Sequence, residues 1–93
     1  MQKYKVMLNG QNFVIDPGEG LAKYGFYSTC YVTARSKAEA EASAIDVINK
    51  RQDIKGHIQN EQHDPPMMYA EEIVEVDNIE DDPQELSWFR EAF

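Results

Sequence analysis

Two periodicities divide this chain. From Lys3 to Leu8, Tyr4, Val6 and Leu8 alternate with Lys3, Lys5 and Met7, the pattern of a strand with one buried face. Asn9-Gly10 follows at once and suits the positive φ angles of a two-residue type I′ turn, so Phe13-Val14-Ile15 is expected to return as the second arm of a hairpin. The alternative is one long strand from Lys3 to Ile15 with a bulge at Gly10. Asp16-Pro17-Gly18-Glu19-Gly20 then breaks the chain as a loop, and since a strand follows it, no helix N-terminus is at hand for it to cradle phosphate. From Tyr24 to Ala34 the chain is aromatic and β-branched, the composition of a strand. Its period of two puts Phe26, Ser28, Cys30, Val32 and Ala34 on a core face and Tyr27, Thr29, Tyr31 and Thr33 on the other.

The period then changes. Ser36-Lys37-Ala38-Glu39 matches a capping box, in which the Ser hydroxyl and the Glu carboxylate each satisfy a backbone amide at a helix start. The spacing predicts a helix over residues 37–51, with Ala38, Ala42, Ile45 and Ile48 as the buried stripe, flanked by Ala40, Ala44 and Val47, and with Glu39, Glu41, Asp46 and Lys50 in water. On that stripe, enlarging Ala42 is expected to destabilise the fold. Residues 52–66 are polar, end in Asp64-Pro65-Pro66 and read as a connection, with one helical turn near Ile54. A last strand is expected over residues 67–77, with Met68, Ala70, Val74 and Val76 on one face and Tyr69, Glu71, Ile73 and Glu75 on the other. Asp82-Pro83-Gln84-Glu85 opens like a helix, and Leu86, Phe89 and Phe93 follow at spacings of three and four.

These elements predict a single α+β domain over residues 1–93. Its antiparallel sheet would have three to four strands in the order β-β-β-α-β, with one long helix packed on one face. Residues 78–93 would form an acidic C-terminal segment ending in a short amphipathic helix. Composition sharpens the picture at one point. The net charge is −8, yet residues 1–63 carry seven acids and eight bases, while residues 64–93 carry ten acids and only Arg90. The acidity belongs to the last third of the chain, where it repels phosphate backbones and attracts basic partners, so direct nucleic-acid binding is not expected. The single Cys30 excludes a disulfide scaffold. No signal-peptide pattern or long apolar run is present, so a cytoplasmic chain with no membrane contact is expected.

Catalytic chemistry finds little to build on. His57 and His63 both sit in the polar connection, Cys30 faces the expected core, and neither histidine has a nucleophile and an orienting group near it in the pattern. His57, His63 and Asp64, or Glu80-Asp81-Asp82, lack a recognised metal-ligand spacing, so no metal and no cofactor are expected. The residues that stand out instead suit protein contact. One helix covers one face of a small sheet and leaves Tyr27, Tyr31 and Tyr69 to meet water, the C-terminal helix or another chain. Trp88 lies off the Leu86, Phe89 and Phe93 stripe, as a partner contact would, and Glu71, Glu75, Glu80, Asp81 and Asp82 offer an acidic surface.

Three segments carry a resemblance: residues 3–13 (KYKVMLNGQNF), 25–34 (GFYSTCYVTA) and 64–73 (DPPMMYAEEI). Through them the chain resembles a family of small uncharacterised bacterial proteins, which implies a bacterial source and carries no activity. In the order of strands, alanine-rich helix and strand it is also similar to HicB-type antitoxins. The expected function is non-enzymatic, through protein-protein interaction or regulation, with self-association through the Tyr27/Tyr31 sheet face. The alternative is an acidic decoy of the anti-restriction, anti-CRISPR or antitoxin kind, occupying a basic nucleic-acid-binding site.

Overall fold

A computed structural model of the chain describes residues 1–16, 18, 20–51, 54, 56–79 and 86–91. Strands β1 (Gln2–Ile15) and β2 (Ala22–Ala34) are followed by helix α1 (Lys37–Asn49), then β3 (Met67–Val76) and β4 (Ser87–Arg90). The strands form one antiparallel sheet in the order β3-β1-β2-β4 with α1 on one face, so the fold is α+β. The element order is β-β-α-β-β rather than β-β-β-α-β, because two of the expected elements take another form.

The first is the N-terminal hairpin. β1 runs straight through Asn9-Gly10 and pairs with β2 from Gln2↔Ala34 to Ile15↔Ala22, with one register shift between Gly10 and Phe13. The bulged strand is therefore the arrangement formed. Its irregularity is absorbed by Asn12 at φ 60°, a left-handed conformation that Asn tolerates better than most residues. β2 is long enough to pair with the whole of β1, and that long-range ladder outweighs a local turn. Gly10 is needed here for space: a Cβ at this position would overlap the ring of the fully buried Phe26.

The second is the C-terminal helix. Residues 87–90 form β4, which pairs Trp88 with Phe26 and Phe89 with Gly25. Trp88 packs edge-on against Phe13, Tyr24 and Phe26, with centroids 6.1, 6.5 and 5.2 Å away. Burying the indole against the core takes period-two backbone, and this tertiary gain overrides the helical spacing of Leu86 and Phe89. Phe93, the third member of the expected stripe, lies outside the described residues.

The core joins Tyr4, Val6, Leu8 and Phe13 of β1, Phe26, Cys30, Val32 and Ala34 of β2, and Ala40, Ala44 and Ile48 of α1, closed by Ile54 from the connection. The helix is rotated from the expected stripe: Ala40, Ala44 and Ile48 are buried, while Ala38 and Ala42 are exposed. An alanine-dense helix has little apolar contrast between its faces. The rotation instead brings Glu41 toward the sheet, where its carboxylate accepts the Ala70 N–H of β3 at 2.7 Å. Ser36 caps α1 by accepting the Glu39 N–H at 3.2 Å, but the Glu39 carboxylate reaches the N–H of Arg35 rather than that of Ser36. No helix among the described residues is long and apolar enough to cross a membrane.

Candidate interaction face

With α1 on one side, the other side of the sheet is an open face. β1 contributes Lys3, Lys5, Met7, Asn9 and Gln11, and β2 contributes their partners Thr33, Tyr31, Thr29 and Tyr27. β3 does not keep strict alternation. Met7 pairs with Glu72 but Leu8 pairs with Ala70, so Glu71 is an extra residue and the faces exchange around it. Met68, Ala70 and Ile73 consequently turn toward the core, and Tyr69, Val74 and Val76 share the open face. Val74 and Val76 thus stand opposite the face that alternation alone assigns them. At the other edge Phe89 lies over Gly25, where a Cβ would strike its ring, and stacks on Tyr27 at 5.3 Å.

Six large apolar side chains of this face, Met7, Tyr27, Met67, Tyr69, Val74 and Phe89, are each between 37% and 58% exposed. The other exposed large apolar residues among those described, Met1, Leu21 and Ile79, lie outside the strands. Scattered surface apolar residues are ordinary, but their concentration on one sheet face sets it apart from the rest of the described surface. Within the face Asn9 is only 4% exposed: its Nδ2 donates to Glu71 at 2.7 Å, while its buried Oδ1 has no donor among the described residues. Beside it lies an open groove of about 420 Å³ lined by Asn9, Gln11, Tyr27, Phe89, Arg90 and Glu91. Gln11 closes the other side by donating to the Tyr69 hydroxyl at 3.2 Å.

The residues singled out from the sequence divide as follows. Tyr27, Tyr31, Tyr69 and Phe89 share the open face, with Tyr31 half-buried beside Lys5. Glu71 joins them through Asn9. Trp88 does not, since its ring is packed into the core side and is no free partner contact. Glu75 pairs with Tyr4 at the exposed β3 edge, and Glu80, Asp81 and Asp82 lie outside the described residues. Met7, Asn9, Gln11 and Val74 escaped the sequence reading. A hairpin turn at Asn9-Gly10 takes Asn9 and Gln11 off this strand, Met7 carried no signal beside the two lysines, and strict alternation places Val74 inside.

Among the described residues no group of three or more His, Cys, Asp or Glu is arranged to hold a metal ion. His63 lies 3.5 Å from Glu61, and both are well exposed. Burial pushes the Cys30 thiol above its ordinary pKa, and the Ser28 hydroxyl and the Arg51 charge only partly offset this.

The fold and face define a small α+β domain with one helix-covered and one open sheet face. Comparison with protein-family models, curated proteins and solved structures finds no match for the chain.

Proposed function

We propose that this protein is a non-enzymatic binding module that docks a protein partner on the open face of its sheet. The observation that carries this reading is the gathering of six exposed large apolar side chains on that face. At about 25 cal/mol per Å² of apolar area, leaving them in water forgoes several kcal/mol that a partner would recover. A photo-crosslinking residue at Thr29, in the middle of the face, should yield an adduct in cells, and the same residue at Asp46 on the exposed side of α1 should not. Equal yields from both positions, or none from either, would overturn the reading.

A second reading is favoured by a separate observation: Glu71, Glu72, Glu75 and Asp77 are all exposed along β3 and its end. As an acidic decoy, the protein would present these carboxylates to a basic nucleic-acid-binding site. Such binding is salt-sensitive, and added salt should release the basic partner. Tight binding that persists in molar salt would count against it.

A further inference from the structure

We propose that the occupant of the open face is a second copy of this chain, packed sheet against sheet about a two-fold axis that crosses the strands at Met7. The inference rests on the docking reading above and names its partner. Three features of the face bear on it.

The first is charge. The chain carries −8 overall, but the face itself is mixed: its lysines stand toward one end of the strands and Glu71 and Glu91 toward the other, while Glu72, opposite Met7 on the exposed β3 edge, sits level with the axis and faces its own counterpart. Lys3 and Lys5 stand at one end of β1, and neither forms an ion pair among the described residues. Glu71 lies beyond the middle, bonded to Asn9, and Glu91 lies at the far end, where its carboxylate accepts the Asn12 N–H. A two-fold axis across the strands reverses their direction while keeping each strand over its own counterpart. Lys5 of one copy then meets the Asn9 and Glu71 pair of the other, and Lys3 meets Gln11 and the Glu91 end.

The second is the apolar pattern. The same rotation lays Val74 and Val76 over Tyr69 and Met67, Tyr31 over Tyr27, and Met7 over Met7. Five of the six exposed apolar groups thereby meet another apolar group, as an isologous contact requires, while Phe89 on the short β4 lies beyond the overlap. Two sheets packed face to face keep their strands within about 30° of alignment, so the end-to-end charge pairing survives their twist.

The third is size. β3 pairs with β1 over nearly its full ten residues. At about 3.3 Å per residue and about 4.8 Å between strands, the three long strands, with β4 adding only four residues at one end, present roughly 400–500 Å² in plan. This is below the roughly 800 Å² per partner of a standard interface and in the range of weak, transient contacts. A weak dimer, populated toward millimolar concentration, is therefore expected.

The test is light scattering with size exclusion, and sedimentation equilibrium, on the purified chain from micromolar to millimolar concentration. The expected result is a concentration-dependent rise from the 10.7 kDa monomer to twice that mass. Thr29→Glu places two carboxylates face to face near the axis, and Lys5→Glu sets an acid over the partner copy's Glu71. Each should weaken the dimer at least ~10-fold, as disrupting a central contact does, while leaving the circular-dichroism melt of the monomer in place. A chain that stays monomeric at millimolar concentration overturns self-association. So does a dimer that both variants leave intact, because it would use another surface. The docking reading fails separately: a monomer whose Thr29 crosslinks to a different protein refutes the dimer alone, and a monomer that crosslinks to nothing refutes both.

Discussion

Gly10→Ala tests the bulged β1 at its tightest point. Gly10 is not among the residues with positive φ, so alanine meets no backbone penalty there. Its cost comes from Phe26, whose ring occupies the volume the new methyl would take. That ring cannot swing aside, because Phe13 and Trp88 hold it on two sides with centroids 5.2 Å away. Overpacking of a filled core costs about 1–3 kcal/mol, against which the lost freedom of the unfolded chain returns about 0.4–1 kcal/mol. The net loss is then about 1–2 kcal/mol, which lowers the melting temperature of a domain this size by roughly 5–15 °C. Thermal and urea unfolding followed by circular dichroism measure it, and a double-mutant cycle with Phe26→Leu isolates the cause. If the ring is the obstacle, the two substitutions couple by at least ~0.5 kcal/mol, with the smaller Leu relieving the alanine. A Gly10→Ala protein that melts at or above the parent temperature, or a cycle that is additive, would refute the steric argument and reopen the hairpin.

Ala44→Leu should cost about 1–3 kcal/mol by overpacking a fully buried position, whereas Ala42→Leu on the exposed side should stay within about 0.5 kcal/mol; the reverse order in thermal melts would mean the helix is turned the other way. Asn12→Ala loses hydrogen bonds to Asp64 and Pro65 as well as the left-handed tolerance of Asn, for a loss of about 2–3 kcal/mol, while Asn12→Gly loses only the bonds and should cost about 1 kcal/mol. Equal losses in the two variants would show that φ plays no part. Because burial raises the Cys30 pKa in the folded state, the unfolded thiol ionises first as pH rises past about 9, so stability falls with pH there. Urea midpoints from pH 8 to 10 should therefore drop faster for the parent than for Cys30→Ala, and parallel profiles would contradict the burial effect.

What the sequence made legible follows from how strongly each segment's pattern contrasts. Residues 26–34 alternate without a break, and both faces of β2 are as read. The fold class, with one helix over an antiparallel sheet, is legible for the same reason. Asn9-Gly10 is ambiguous in principle, since one dipeptide serves a hairpin and a bulge, and the choice lies with β2, more than a dozen residues away. On α1 the alanines give no contrast, so the rotation is fixed by Glu41 reaching Ala70, a contact no local pattern encodes. Leu86 and Phe89 carry a helical spacing that loses to the burial of Trp88. The open face was half visible, through the Tyr27 and Tyr31 alternation. The Asn9 and Gln11 part of β1 depended on that strand running past Gly10, and the β3 part on the bulge at Glu71, which shifts which residues look outward without leaving a mark in the sequence.

β3 leaves β1 at Gln11, and beyond that point the connection takes its place: Gln59 donates its N–H to the Val14 carbonyl at 2.8 Å, and the Asn60 side chain accepts from Val14 N–H and donates to the Asn12 carbonyl. One amide side chain thus imitates the backbone of a missing strand residue. It also cuts the entropy of a long polar excursion, because a loop tied at its midpoint closes as two short loops. Closure entropy grows only with the logarithm of length, so residues inserted on either side of Asn60 are absorbed at small cost. Removing the Asn60 amide leaves the Gln59 N–H as the remaining bond from the connection to Val14, and loosens that tie at the far end of β1.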